Sequence, residues 1–312
     1  MAVMRTALVT HADCLRHDMG AYHPERPARL TAIDDQLIAA GIAPYLERHE
    51  APLATDEQLA LVHPIDYVRA IREAAPQNGT IHLDPDTAMN PHSLNAALRA
   101  AGAAVLATDL VMKGEVDSAF CSVRPPGHHA CRARPMGFCI FNNVAIAARH
   151  AMQAHGAERV VIVDFDVHHG NGTEEIFAGE EGVLMVSTFQ HPFYPYSGTE
   201  DPAPNMLNVP LPAGAGSKEF RAAVTDEWMP ALEKFAPQLV IFSAGFDAHA
   251  EDDMAMLRLV DDDYRWVTEQ MKSVADRHAG GRIVSMLEGG YALSALGRCA
   301  VQHLRVLAGL NA

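Results

Sequence analysis

Short apolar segments recur along the chain and alternate with longer segments of helical spacing. An apolar run of four to eight residues between turn signals is typical of a buried strand. Several of the longer segments end at glycine, as helices often do. The predicted strands span residues 6–10, 118–123, 159–167, 182–189, 238–246 and 281–291, and the predicted helices span 27–42, 91–114, 142–156, 217–235 and 261–279.

Strands that alternate with helices predict a parallel sheet covered by helices on both faces. Neither an internal repeat nor a low-complexity linker divides the chain, and 312 residues are within the range of one large α/β domain. We therefore expect a single three-layer α/β/α domain over residues 1–312, with a mainly parallel central sheet. In such a sheet the functional groups lie beyond the carboxyl ends of the strands.

Composition and charge narrow the class of protein. Hydrophobic residues make up 49% of the chain and charged residues 20%, as in a globular protein. The formal net charge of −15 argues against a nucleic-acid partner, which needs basic patches, and weakly favours cationic substrates. The five cysteines show no C-x-x-C spacing, which indicates a reducing compartment rather than a disulfide framework.

The sequence also bears on location. The N-terminal residues lack the pattern of a signal peptide, and no apolar run approaches the ~18 residues of a membrane span. We therefore expect a cytoplasmic protein without a membrane partner. The sequence leaves open whether the chain forms a homo-oligomer.

Ionisable and hydroxyl groups occur at the ends of four predicted strands, each time beside glycine. The sequences at these ends are RPPGHHA, DVHHGNGT, FDAHAEDD and EGGYAL, in chain order. One such strand end would carry little weight. Because the carboxyl ends of parallel strands meet at one edge of the sheet, four of them predict a single convergent site.

The segment VVIVDFDVHHGNGT, residues 160–173, begins as a buried strand and then carries Asp164, Asp166 and His168 at alternate positions. Alternate strand residues share a face, and a buried carboxylate must be paired or bind a metal. Histidine with one or two carboxylates suits zinc or another divalent transition metal, and Asp247 is the best third ligand from another strand end. A hydrogen-bonded cap in a glycine-rich turn explains a single Asp but not the whole pattern.

Two further strand ends carry candidates for proton transfer. His128 and His129 are adjacent, and tandem imidazoles can act as a general acid and base because they titrate near neutrality. Tyr291 follows Gly289 and Gly290, which let the backbone approach a ligand closely and aim the phenol inward, where it can hydrogen-bond an oxyanion. Chance or packing explains either motif when it is considered alone.

The motifs RPPGHHA, GFCIFNN, VDFDVHHGNGT, SAGFDAH and LEGGY together resemble the zinc-dependent histone deacetylase family. They occur in the family's order over about residues 20–292. The resemblance is greatest to the bacterial class II-like amidohydrolases and the acetylpolyamine amidohydrolases. It implies an arginase/deacetylase type of fold. It also implies a reaction in which zinc-activated water removes an acetyl or other acyl group from acyl-lysine or a related acylated amine.

The resemblance implies roles for individual residues near the metal. The implied zinc ligands are Asp166, His168 and Asp247, and the implied catalytic residues are His129 as general base and acid, His128 as its electrostatic neighbour, and Tyr291 on the amide carbonyl. Asp164 corresponds to the carboxylate behind His128. A potassium ion is also implied, bound by Asp164, the hydroxyl of Ser187 and the backbone of Asp166 and His168.

The resemblance further implies a substrate tunnel. Phe138 and Tyr194 correspond to its aromatic walls. The other residues implied at the tunnel are Gly137, Cys139, Met254, Gly289 and Gly290, together with His23 and Pro24 of the entrance loop HPERP.

Two positions depart from related family members. Asn171 occupies the place where class I members have an Asp behind the second histidine, so we expect His129 to be less basic than in that class. Met254 aligns with a gate position where polyamine-specific members carry an acidic group. An apolar gate argues against selection for an internal ammonium group.

Other interpretations remain at this stage. A two-manganese ureohydrolase of the arginase type would need more bridging carboxylates, and His249 and Asp252 lie nearby in sequence. A zinc-stabilised protein that binds acylated lysine without cleaving it is the non-enzymatic alternative, although Tyr291 and the two histidines are intact. Acyl-lysine, acetylpolyamine and other acylated amines all fit the same chemistry.

Overall fold

The fold is built around ten short strands. The computed structural model describes residues 4–310. The strands are β1 (Thr6–Thr10), β2 (Leu46–Glu50), β3 (Ile81–His82), β4 (Ala88–Met89), β5 (Ser118–Cys121), β6 (Val160–Asp164), β7 (Val183–Gln190), β8 (Met206–Leu211), β9 (Leu239–Ala244) and β10 (Ile283–Leu287).

Eight of these strands form one sheet in the order β2-β1-β5-β10-β9-β6-β7-β8, and each neighbouring pair is parallel. The remaining two, β3 and β4, form a small antiparallel pair. The predicted parallel sheet is therefore confirmed.

Helices connect the strands. They are α1 (Ala28–Ala39), α2 (Asp56–Leu59), α3 (Ile65–Ala74), α4 (Ser93–Met112), α5 (Asn143–His155), α6 (Asn171–Phe177), α7 (Ser217–Ala222), α8 (Met229–Phe235), α9 (Asp261–His278) and α10 (Leu293–Leu307). A π-helical segment, Ala223–Trp228, joins α7 to α8, so the helix predicted over 217–235 is one continuous rod with a local change of winding.

The two faces of the sheet are covered by different helices. Phe120 of β5 packs against His303 of α10, with ring centroids 5.8 Å apart. The next residue, Cys121, directs its Sγ to the carbonyl oxygen of Ala103 on α4, 3.5 Å away. Successive strand residues face opposite sides, so α10 and α4 lie on opposite faces of the sheet. This arrangement confirms the predicted α/β/α layering as a single domain.

The central strands are buried on both faces, which explains their uninterrupted apolar sequence. In β6 the side chains of Val160 to Val163 are all completely buried. The two strands absent from the sequence prediction within this sheet are its edges, β2 and β8. Their sequences, LERHE and MLNVPL, mix exposed and buried positions because each edge strand has a neighbour on one side only.

Among residues 4–310, helix α4 alone is long and apolar enough to cross a membrane by length and composition. However, 72% of its most apolar stretch of 18 residues is buried inside the protein, as in the core helix of an α/β domain. All five cysteines are buried and free.

Gly102 of α4 provides a test of the packing in this layer. A Cβ at this position would lie 2.0 Å from the carbonyl oxygen of Pro52. Intrinsic helix propensity favours alanine over glycine by about 1 kcal/mol, but this clash with backbone outweighs it. We expect Gly102→Ala to lower the free energy of unfolding by about 1–3 kcal/mol, measured by chemical denaturation.

The matched control is Asn95→Ala on the same helix, where the side chain is exposed. This substitution should leave stability unchanged or raise it slightly, because only propensity changes. Stabilisation by Gly102→Ala would show that α4 does not pack as closely as described.

Candidate active site

A narrow cavity of about 150 Å³ opens at the carboxyl edge of the sheet. Its lining combines residues from several strand ends with aromatic side chains from the connecting loops. These residues are Asp86, Pro126, His128, His129, Gly137, Phe138, His168, Phe193, Tyr194, Met254, Gly289 and Tyr291. Three of the four motifs that the sequence placed at strand ends line this cavity, and the fourth, FDAHAEDD, supplies Asp247, whose Oδ2 lies 3.3 Å from His168 Nδ1.

The segment after β6 differs from the sequence prediction in one respect. The strand ends at Asp164, so Asp166 and His168 lie in the loop that follows rather than in the strand. The carboxylates of Asp164 and Asp166 accept backbone hydrogen bonds that would otherwise be available to a neighbouring strand. The N–H of Asp166 donates to Asp164 Oδ1 (3.1 Å), and the N–H of His168 donates to Asp166 Oδ1 (2.9 Å). These local turns end the strand and bring the side chains together.

Asp166, His168 and Asp247 form a compact buried trio. One ligand atom from each lies within 4.8 Å of the others. His168 Nδ1 lies 2.9 Å from Asp166 Oδ1 and 3.3 Å from Asp247 Oδ2. The backbone also fixes both carboxylates, because the N–H of Gly289 donates to Asp166 Oδ2 (2.8 Å) and the N–H of Val167 donates to Asp247 Oδ1 (2.9 Å).

The electrostatics of this trio favour a cation. Burial raises the pKa of Asp247 to about 6, and the neighbouring charge of Asp166 adds to the rise. Burial would lower the pKa of His168, but its hydrogen bond to Asp166 and the adjacent carboxylate of Asp247 raise it to about 10. Asp247 Oδ2 is buried and has no hydrogen-bond partner among residues 4–310. An orphaned carboxylate oxygen beside an imidazole and a second carboxylate fits a divalent transition metal.

The carboxylate of Asp164 lies behind His128. The Nδ1 of His128 lies 3.0 Å from Asp164 Oδ2. Burial would lower the pKa of His128, but the charges of Asp166 and Asp164 raise it to about 10. Ser187 lies beside Asp164 in the paired strands β6 and β7, and its buried Oγ has no hydrogen-bond partner in the described part of the chain.

His129 has a different environment from His128, although their ring centroids are only 4.0 Å apart. Its Nδ1 lies 2.8 Å from Asn171 Oδ1. The Nδ2 of Asn171 faces two sulfur atoms, Met136 Sδ at 3.3 Å and Cys131 Sγ at 3.5 Å, which leaves the amide oxygen to accept from His129. Burial, together with the charges of His128 and His168, holds the pKa of His129 well below its usual value.

Tyr291 lies between β10 and α10, and two groups position it. Asp252 Oδ2 accepts hydrogen bonds from the backbone N–H groups of Tyr291 (2.6 Å) and Ala292 (2.9 Å). The guanidinium of Arg29 lies 5.0 Å from the centroid of the Tyr291 ring. Burial raises the pKa of Tyr291 well above its usual value, so the phenol stays protonated as a donor.

Both aromatic residues expected at the tunnel walls lie at the cavity. Phe138 and Tyr194 line the cavity, and Phe138 has a positive φ of 68°. His23 packs edge-to-face against Phe138, with ring centroids 4.6 Å apart, and does not belong to the described cavity lining. Met254 also lines the cavity.

Two expected tunnel residues lie behind its wall. Cys139 is completely buried, with its Sγ 3.3 Å from the carbonyl oxygen of Gly137. Gly290 faces Leu296 and Phe246 instead of the cavity. The sequence showed that these residues adjoin the site but not which side of the backbone they occupy. Neither Pro24 nor these two residues belong to the described cavity lining.

A buried ion network beneath the site was not identified in the sequence analysis. Glu25 binds Arg124 through both carboxylate oxygens, and Arg29 Nη1 lies 3.0 Å from Glu25 Oε1. Arg29 also donates to the carbonyl oxygens of Glu288 and Gly290 (Nε to Gly290, 2.6 Å). The network therefore ties the entrance loop to the segment that carries Tyr291. Sequence periodicity gives no signal for the contacts of Arg124 with Glu25 or of Arg29 with Gly290, because these partners are far apart in the chain.

Two further acidic residues were also missed. Glu288 Oε2 accepts hydrogen bonds from the backbone N–H groups of Gly127 (2.7 Å) and His128 (3.1 Å), and burial raises its pKa to about 7. Asp86 lies at the cavity and accepts from the N–H of Gly137 (3.1 Å). Glu288 directly precedes the glycines of the LEGGY motif. A carboxylate at the end of a buried strand was the feature of the sequence that could have identified it.

A parallel sheet with a buried Asp, His and Asp at its carboxyl edge, next to tandem histidines, is the architecture of the deacetylase-type hydrolases. The family described as the histone deacetylase domain matches residues 23–307. The chain belongs to the histone deacetylase family.

Individual relatives agree with this assignment. The chain is 39% identical to the histone deacetylase-like amidohydrolase of Pseudomonas aeruginosa, over 93% of this chain and 78% of the relative. It is 36% identical to a protein of Archaeoglobus fulgidus named probable deacetylase, over 93% of this chain and 82% of that one. The crystal structure of the HDA15 HD domain superposes with a TM-score of 0.92 at 36% identity, covering 99% of this chain and 89% of that one.

The buried network yields a stability prediction. Removing one partner of a buried ion pair leaves an uncompensated charge, so Glu25→Gln should lower the free energy of unfolding by about 3–5 kcal/mol. Glu233→Gln is the control, because Glu233 pairs with Arg277 and His278 at the exposed surface and such pairs contribute about 1 kcal/mol or less. Equal losses in chemical denaturation would contradict the role of the network.

The same variant has a predicted pH dependence. Burial would raise the pKa of Glu25, but Arg124, His17 and Arg29 lower it to about 2 from an ordinary value of 4.5. The stability contributed by the charged form is therefore complete above pH 4.5 and is lost as the pH falls toward 2. The stability difference between wild type and Glu25→Gln should shrink over that range. A difference that stays constant from pH 6 to pH 3 would contradict it.

Asp252 yields a prediction about hydrolase activity. Asp252→Ala removes the acceptor for two backbone N–H groups at Tyr291, which should lower kcat by at least about tenfold. Asp252→Asn keeps an oxygen acceptor and should restore most of the loss. Steady-state kinetics of both variants check this, and full activity of the alanine variant would show that Tyr291 does not depend on this contact.

Proposed function

We propose that the chain is a zinc-dependent amidohydrolase that removes an acetyl or other acyl group from the amine of acyl-lysine or a related acylated amine. The observation that carries the proposal is the buried trio Asp166, His168 and Asp247, whose ligand atoms lie within 4.8 Å of one another. His168 of this trio lines one narrow cavity together with His129 and Tyr291. The trio would hold the zinc. Zinc bound there would supply a Lewis acid that activates water and polarises the acyl carbonyl.

The neighbouring side chains would carry out the proton transfers. His129 donates its Nδ1–H to Asn171, so its Nε2 is free to accept a proton from the attacking water. The low pKa of His129 keeps that nitrogen unprotonated before the reaction. Tyr291 remains a phenol and would donate a hydrogen bond to the developing oxyanion. His129 then returns the proton to the leaving amine, next to the charged His128.

The shape of the cavity supports a long, thin acyl-amine substrate. Phe138, Tyr194 and Phe193 narrow the cavity with aromatic surface, which suits an extended methylene chain. Met254 contributes an apolar side chain to the same lining. We therefore favour acyl-lysine over acetylpolyamine as the substrate class, because Met254 offers no charge for an internal ammonium group.

A structural potassium ion is part of the proposal. The unpartnered Ser187 Oγ lies next to Asp164 in the paired strands, and a hydroxyl beside a carboxylate fits a hard cation. The backbone of Asp166 and His168 would complete the site. We also propose a cytoplasmic location, in line with the five free, buried cysteines.

The arginase-type alternative has less support. His249 Nε2 lies 3.0 Å from Asp261 Oδ1, and Asp252 accepts from the backbone at Tyr291. Both residues are thus engaged outside the trio and do not bridge a second metal there. A binding protein without activity is also disfavoured, because His129 and Tyr291 both line the cavity.

The direct test is release of a fluorophore from an acetyl-lysine amide by the metal-free chain supplemented with one equivalent of Zn²⁺. We expect turnover that appears with zinc and is blocked by a hydroxamate. Rates for acyl-lysine peptides should exceed those for acetylpolyamines. No turnover with zinc, or full activity only with two manganese ions per chain, would overturn the proposal. Preference for acetylpolyamines would overturn only the argument from Met254.

The proposed roles of His129 and Tyr291 predict large losses of activity. His129→Ala and Tyr291→Phe should each lower kcat by at least about a hundredfold, because general-base catalysis and oxyanion stabilisation are of this size. Tyr45→Phe is a matched control, because Tyr45 directly precedes β2 and therefore lies at the amino ends of the strands, away from the carboxyl ends that carry the active site. Turnover near the wild-type level in either active-site variant would contradict the mechanism.

A further inference from the structure

A second group of metal-ligating side chains lies outside the active site. Asp109 is near the C-terminal end of α4, and His150 and His155 are on the last turns of α5. The Nε2 atoms of His150 and His155 lie 2.8 Å and 2.7 Å from the same atom, Asp109 Oδ1. The three ligand atoms all lie within 4.8 Å of one another. We call these three residues the α4–α5 cluster.

The cluster is far from the proposed catalytic metal. At the start of α5, Asn142 and Asn143 donate side-chain hydrogen bonds to the carbonyl oxygens of Ala130 and Pro125 in the active-site loop. At the other end, α5 leads into the amino end of β6. With a rise of 1.5 Å per residue, roughly 18 Å of helix separates the two ends.

The cluster has the donor set and the access that a metal site needs. Two imidazole nitrogens and one carboxylate oxygen are typical ligands of zinc and related divalent ions, with water in the remaining position. The histidine side chains are 14% exposed and that of Asp109 is 30% exposed, so an ion can enter from solvent. Partial burial would raise the pKa of Asp109, but hydrogen bonds from His150, His155 and Lys113 lower it to about 2, which keeps the carboxylate charged.

We propose that the α4–α5 cluster binds one divalent transition-metal ion of the Zn²⁺ class and thereby joins the end of α4 to the end of α5. The ion would replace the two hydrogen bonds to Asp109 Oδ1 with three metal–ligand bonds. Each imidazole would carry its proton on Nδ1 in the bound form. Because the ion binds only the folded protein, it would stabilise the packing of the two helices.

The charge of Lys113 provides a way to tell a metal site from a cluster held by hydrogen bonds alone. Its Nζ lies 3.2 Å from Asp109 Oδ2, the oxygen that the histidines do not contact, and the side chain is half exposed. The ammonium group therefore leaves Oδ1 accessible but repels an incoming cation. Removing this charge should tighten metal binding by about fivefold, the size of one Coulomb interaction near the surface.

Isothermal titration calorimetry with Zn²⁺ tests the proposal on the full chain, first loaded with one equivalent of zinc. We expect the wild type to take up one further equivalent. H150Q/H155Q should bind that equivalent at least about tenfold more weakly, and K113Q about fivefold more tightly. The matched control is His82→Gln, an exposed histidine in β3, which should bind as the wild type does. Excess zinc should raise the Tm of the wild type but not that of H150Q/H155Q.

Two results would overturn the proposal: a wild type that binds a single equivalent, or a second equivalent that persists unchanged in H150Q/H155Q. The K113Q measurement tests the site even if the double variant folds poorly, because unchanged affinity in K113Q also contradicts it. Hydrolysis by the one-zinc form is measured in parallel. Failure of the second site leaves that activity intact, whereas failure of the proposed function shows as an inactive one-zinc protein.

Discussion

The burial of several carboxylates at one edge of a hydrophobic sheet is the constraint on which the rest of this structure depends. Asp164, Asp166, Asp247 and Glu288 are all essentially inaccessible to solvent. Charged groups in such a position are costly unless each is compensated. Backbone N–H groups satisfy part of this need, and His128 supplies positive charge between Asp164 and Asp166. What remains unsatisfied, above all Asp247 Oδ2, defines the place for a metal ion.

The loops around this edge are held by a second layer of ionic contacts. Arg29 joins Glu25 to the carbonyl oxygens of the segment that carries Tyr291, while Asp252 holds the same segment through its N–H groups. Tyr291, the proposed oxyanion donor, is thus fixed from both sides by groups that do not themselves line the cavity. This arrangement explains why a phenol on a glycine-rich connection can be held in one position, as oxyanion stabilisation requires.

Much of the fold and of the site follows from sequence because both depend on regular patterns. Buried parallel strands such as β6 are uninterrupted apolar runs, and their carboxyl ends must meet. The edge strands β2 and β8 were missed since half of their surface is solvated and their pattern is weak. The structural roles of Glu25, Arg124 and Asp252 were missed because their partners are set by tertiary packing. The side of the wall occupied by Cys139 likewise depends on the positive φ at Phe138, which sequence periodicity does not reveal.

Anomalous diffraction at the zinc absorption edge, from crystals of the full chain grown with zinc, would locate the ion without reference to activity. We expect one ion in the active site at about 2.0–2.2 Å from His168 Nδ1 and from one oxygen each of Asp166 and Asp247. An active protein with no ion at this position, or with two ions bridged by carboxylates there, would contradict this expectation.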